Sequence, residues 1–207
     1  MAMFLAFTNP MRAPARTLDT AQQSTYRLAA GFILLAMAIA SPIGFLVALP
    51  QKQFTITAFV GFVVVLLDIC VALLLIPILR SGGTALANWA SVLRIFYATG
   101  LFTVTILLVI RQNGELFTQV WDYSLALFGF LLVVAGIAMC RSAELPTIIG
   151  VLLLIAGAGY PFDSVTTMFN VETVSLSGFT FIGEVALLLW LLWSGSRLRK
   201  GSRTTSS

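Results

Sequence analysis

The sequence predicts an all-α polytopic membrane protein: a bundle of six transmembrane helices with both termini cytoplasmic. Three observations carry that reading. Six long apolar runs, joined by short polar links, fill most of the 207 residues. Hydrophobic residues make up 59% of the chain, charged residues only 10%, and the mean hydropathy is +1.00. A soluble domain needs roughly 25% charged residues, whereas lipid solvates an apolar bundle directly. Finally, lysine and arginine gather at every second link.

Residues 1–27 read as a cytoplasmic tail, with Arg12, Arg16, Pro10 and Pro14 ahead of a Gln/Ser/Thr stretch. No small-x-small cleavage site follows a short apolar core there, so a cleavable leader is not expected. The transmembrane domain occupies 28–194. A helix needs about 20 apolar residues to cross the hydrocarbon core. The first span covers 28–49 and should kink near Ser41-Pro42. The second covers 56–79, with Pro77 near its end, and the third 85–110. In a membrane, neighbouring helices or waters can satisfy the carbonyls a proline frees, so kinks are expected rather than helix ends. The fourth covers 121–140, the fifth 145–162 and the sixth 177–193. Gly150, Ala156, Gly157, Ala158 and Gly159 make the fifth span small-sided, which lets another helix backbone approach closely. Residues 195–207 form a basic, Ser/Thr-rich tail expected to be solvated and mobile.

Orientation follows from the basic residues. With the N-terminus inside, nine lysines and arginines fall in cytoplasmic segments and two, Lys52 and Arg111, in outer loops. Arg94 falls within a span. Trp121 and Trp193 sit near span ends, where aromatic rings anchor at the interface.

Composition also narrows the chemistry. The chain has no histidine, which removes histidine-ligated haem, HExxH zinc sites and Ser-His dyads. Cys70 and Cys140 read as buried small hydrophobes, with no CxxC pair. No cofactor or metal is indicated. The pI of 9.5 comes from charges at membrane edges rather than from one patch, so nucleic acid is not an expected partner.

Three ionisable residues fall well inside spans: Asp68, Arg94 and Glu184. Such charges are costly in a bilayer and normally face the bundle interior with partners. At 1.5 Å per residue they lie roughly 14–16 Å from the cytoplasmic side, so they could share one layer. Tyr97 lies on the same helix face as Arg94. Two carboxylates around one guanidinium make a minimal proton-responsive site. The bland alternative is a polar cluster that fixes helix order. Tyr160 and Asp163, near the outer end of the fifth span, are a further pair of candidates, though Asp163 reads first as the start of a loop. Glu144 could cap the fifth helix and pair with Arg141.

The segments Leu66-Leu67-Asp68, Leu93-Arg94-Ile95-Phe96-Tyr97, Arg141-Ser142 through Leu145-Pro146, Ala156-Gly157-Ala158-Gly159-Tyr160 and Gly183-Glu184, followed by Leu189-Trp190-Leu191-Leu192, resemble in this order an uncharacterised prokaryotic membrane family, domain of unknown function 4386. The resemblance covers 25–195. It implies a six-helix fold in a cytoplasmic (inner) membrane and implies no activity.

Three function classes stay open. One is binding or transport of a small molecule or lipid, with Arg94 holding an anionic group and Glu184 responding to protons. A second is a structural or regulatory subunit of a membrane complex. The third is a membrane-embedded hydrolase using Glu184, although no GxGD motif accompanies Asp68 and Asp163 and no serine or cysteine has an evident base beside it.

Overall fold

The computed structural model describes residues 19–168 and 177–204. Within them are six helices, each long and apolar enough to cross a membrane. They are α1 (Thr20–Ser41), α2 (Phe54–Leu79), α3 (Thr84–Arg111), α4 (Gly114–Arg141), α5 (Thr147–Met168) and α6 (Ser177–Thr204). No strand occurs among the described residues. Each helix packs against its neighbours in sequence, and α6 closes against α1, so the six form a ring. The ring's exterior carries Phe32, Phe59, Leu66, Trp89, Phe96 and Ile110, all more than half exposed. That exterior suits hydrocarbon, where no apolar side chain needs covering.

Helix α1 changes character where the kink was expected. It widens into a π-helical segment, Pro42–Ala48. Pro42 has no N–H to continue the α ladder. The Leu49 N–H instead donates to Gly44 O at 3.1 Å, and Thr57 Oγ1 on α2 donates to the same carbonyl at 3.1 Å. Pro77 lies inside α2, which runs on to Leu79.

Other boundaries differ from the sequence reading. Helix α4 starts at Gly114, with the Asn113 side chain accepting the Leu116 N–H at 3.0 Å. Gly114, Glu115, Thr118 and Gln119 dilute the hydropathy of that first stretch and hid it. Trp121 therefore lies about 10 Å inside the helix rather than at its end. Helix α5 passes through Pro161 to Met168, so Asp163 belongs to the helix and does not begin a loop. Helix α1 begins at Thr20, inside the expected tail. Helix α6 continues to Thr204, so residues 195–204 extend the sixth helix. The remainder of both predicted tails, residues 1–18 and 205–207, lies outside the described residues.

The fifth helix uses its small residues against α4. A Cβ on Gly157 would lie 2.6 Å from the Gly129 carbonyl oxygen, and one on Gly136 would lie 2.7 Å from that of Gly150. Such approach lets van der Waals contact hold helices together where no hydrophobic effect acts.

One end of the ring is tightly joined. The α2–α3 link meets α4 so closely that a Cβ on Gly82 would lie 1.7 Å from the Ala138 carbonyl oxygen. Ser81 and Ser142 hydroxyls share a hydrogen bond at 2.8 Å. Ser24 of α1 donates to the Gly195 carbonyl of α6 at 2.9 Å. Arg27, Arg80, Arg141 and Arg197 belong to this end, while Lys52 and Arg111 belong to the opposite one. Glu144 shares a small cleft here with Arg27, Pro77 and Ser81. No Arg141–Glu144 ion pair forms among the described residues; the Glu144 N–H donates to Ser142 Oγ at 3.1 Å instead. Cys140 Sγ donates to Thr147 O, whereas Cys70 is exposed on the outside of α2, not buried.

Candidate functional site

The half of the ring away from the basic end is hollow. A cavity of about 430 Å³ lies inside it, within the range that encloses small ligands. All six helices contribute walls: Phe45 from the π-helical segment, Asp68 from α2, Arg94 and Tyr97 from α3, Trp121, Asp122 and Phe128 from α4, Tyr160 from α5, and Phe181 and Glu184 from α6. The hollow follows from the π-helical segment and from a second core cluster confined to α1–α4. There Phe45, Val64, Leu101 and Phe117 pack without help from α5 and α6.

Arg94 Nη2 lies 2.6 Å from Asp68 Oδ1, with the side chains 3% and 0% exposed. Helices α2 and α3 are joined by the short link around Arg80–Gly82, which places these two positions side by side. The pair is close but poorly aligned. Both Asp68 carboxylate oxygens and Arg94 Nε lack a hydrogen bond. The guanidinium carbon also lies 5.6 Å from the Phe128 ring centroid, in cation–π range.

Around the cavity runs a belt of aromatic and polar contacts. Trp121 Nε1 donates to Tyr97 Oη at 3.3 Å. The Tyr97 and Phe128 rings are 4.8 Å apart, and Phe128 meets Tyr160 edge-on at 5.5 Å. Tyr160 Oη donates to Glu184 Oε1 at 2.6 Å. Phe45 packs on Trp121 with centroids 4.9 Å apart. Ser164 Oγ donates to the Asp122 carbonyl at 2.7 Å and ties α5 to α4 at the cavity's upper edge.

Of the residues singled out in the sequence, Asp68, Arg94, Tyr97, Tyr160 and Glu184 all line this one cavity. The partnerships differ from those expected. Arg94 is taken by Asp68, and Glu184 by Tyr160. Asp163 is not among the residues that line the cavity. Sequence reasoning missed Asp122, Phe45 and Phe128, and read Trp121 as an interface anchor. The i, i+4, i+7 spacing of Trp121, Leu125 and Phe128 was the available signal, since it puts all three on one helix face. Among the described residues no group of three His, Cys, Asp or Glu side chains is close enough to hold a metal ion.

A closed ring of six apolar helices around a partly polar cavity defines a multi-pass membrane protein with an internal chamber. Residues 48–195 match the family model described as "Domain of unknown function (DUF4386)", and the chain belongs to that family. The matched region leaves out α1 and all but the last residue of its π-helical segment, and so one wall of the cavity. An uncharacterized protein from Archaeoglobus fulgidus is 31% identical over 145 residues, which is 70% of this chain and 87% of the relative. No solved structure matches the chain significantly.

Proposed function

We propose that this protein binds, and moves or presents, a small molecule or lipid in the intramembrane cavity, with both termini in the cytoplasm of a prokaryotic cell and the cavity in the outer half of its inner membrane. The carrying observation is the cavity of about 430 Å³ with ionisable groups inside a bundle that is otherwise well filled. A merely structural polar cluster would need neither the space nor the aromatic belt. Support for the orientation comes from the basic end of the ring, because positive residues stay on the cytoplasmic side. Reading the chain as a subunit of a larger complex rests on the small-sided fifth span and the tails, and α5 already spends Gly150 and Gly157 on α4.

Native mass spectrometry of gently solubilised protein tests the reading. Wild-type protein should carry a bound small molecule or lipid. Ala38→Trp, which fills the cavity from α1, should lose it. A wild-type protein without any retained molecule, or one whose adduct survives Ala38→Trp, would overturn the proposal.

A further inference from the structure

The cavity's charge selects among ligands. Among the described residues Arg94 is the one basic side chain in its walls, against three carboxyl groups, Asp68, Asp122 and Glu184. The guanidinium is already served on two sides, by Asp68 at 2.6 Å and by the Phe128 ring. Its Nε is buried without a hydrogen-bond partner. An anionic headgroup would therefore compete with Asp68 for the guanidinium and would meet two further carboxyls. Among the described residues Glu184 has no cation within 4 Å, and its Oε1 accepts from Tyr160 Oη. Asp122, on the same cavity wall as Trp121, has none either. Asp68 itself adds a second observation. Asp68 is fully buried against the cavity, yet its Oδ2 accepts no hydrogen bond. A buried acceptor without a donor marks hydrogen-bonding capacity that the protein itself does not satisfy.

The aromatic belt agrees in sign. Ring faces attract organic cations, most strongly where water is excluded. Trp121, Tyr97, Phe128 and Tyr160 line the same cavity as Glu184 and Asp122. The rim also matters. Leu46 and Phe181 line the cavity while being 68% and 48% exposed on the apolar exterior. The chamber thus reaches the lipid-facing surface where α1 and α6 part. Deeper in, those helices are pressed together at Gly31, where a Cβ would meet Leu192 at 2.7 Å.

The geometry points to a lipophilic monovalent cation, an amine or quaternary onium group on an apolar body, seated between Glu184 and Asp122 against the aromatic belt and reached from the bilayer. This assignment rests on the binding reading above and gives it a charge opposite to the anion expected at Arg94.

Two ions of nearly equal shape and opposite charge test it. Full-length protein in nanodiscs is titrated with radiolabelled tetraphenylphosphonium and, separately, with tetraphenylborate. Saturable binding is expected for the cation only. Glu184→Gln, which can keep the Tyr160 hydrogen bond, should weaken it about tenfold, equivalent to 1.4 kcal/mol. Asp122→Asn at the cavity edge should weaken it by a smaller factor and serves if Glu184→Gln fails to fold, judged by thermal melting. Saturable tetraphenylborate binding, or cation binding indifferent to the variants that fold, would overturn the charge assignment. If neither ion binds saturably while wild-type protein still retains a molecule that Ala38→Trp removes, the cation assignment falls and the chamber's binding role stands. If no molecule is retained either, both fall together.

Discussion

At the scale of single residues the Asp68–Arg94 pair dominates. Both side chains are buried, and breaking such a pair from one side strands a charge in a low-dielectric interior. Asp68→Asn or Arg94→Gln alone should lower stability by about 3–5 kcal/mol. The double variant Asp68→Asn/Arg94→Gln should lose clearly less than the two single losses added, because no unpaired charge remains. Thermal unfolding of all four proteins in one detergent measures this; strict additivity would mean the two groups do not act as a pair. Hydropathy exposed Asp68, Arg94 and Glu184 in the sequence because a charge inside an apolar run stands out. It did not tell which carboxyl Arg94 takes. That choice depends on helix rotation and ring order, and depth along each helix cannot separate a neighbour on α2 from one on α6. Asp122 escaped for a related reason. The fourth span was started at Trp121, which made the next residue look like an edge rather than an interior position.

Elements are joined through small residues and one irregular turn. Where Gly157 faces the Gly129 carbonyl, α4 and α5 are as close as backbones allow. Gly157→Leu should force them apart and cost about 1–3 kcal/mol, read as a lower melting temperature, while Ala158→Leu on the exposed side of the same helix should be near neutral. Equal losses at both positions would remove the packing account. The small-sided fifth span and the site of the Ser41-Pro42 kink were both legible in the sequence. The π form of that kink was not, since it is completed by Thr57 of α2, a residue with no sequence signal linking it to Gly44. The continuation of α5 beyond Pro161 was equally hidden. A proline signals a missing donor, and only the neighbouring helices decide whether the chain runs on.

For the whole molecule, the ring's basic end sets an expectation about the bilayer. Reporter fusions at either terminus should report a cytoplasmic location, by fluorescence of a cytoplasm-active protein and by inactivity of a phosphatase that needs the periplasm. A phosphatase active at either end would invert the orientation and place the chamber in the inner leaflet. Six spans and their order could be read from hydropathy. Closure of α6 on α1 could not, because apolar runs announce that a helix crosses the membrane without saying which helices it touches. The ring is what turns separate intramembrane charges into walls of a single chamber.

The hollow end has a consequence for volume. Space inside a folded protein that neither water nor lipid fills is lost when the chain unfolds, so hydrostatic pressure favours the state without it. A chamber of about 430 Å³ makes the empty protein a compressible object at one end and a stiff one at the other, where Gly82 rests on the Ala138 carbonyl. Filled with a ligand or an acyl chain, the same fold has little space left to surrender. Occupancy of the chamber is therefore written into how the protein responds to pressure, whatever the occupant's identity.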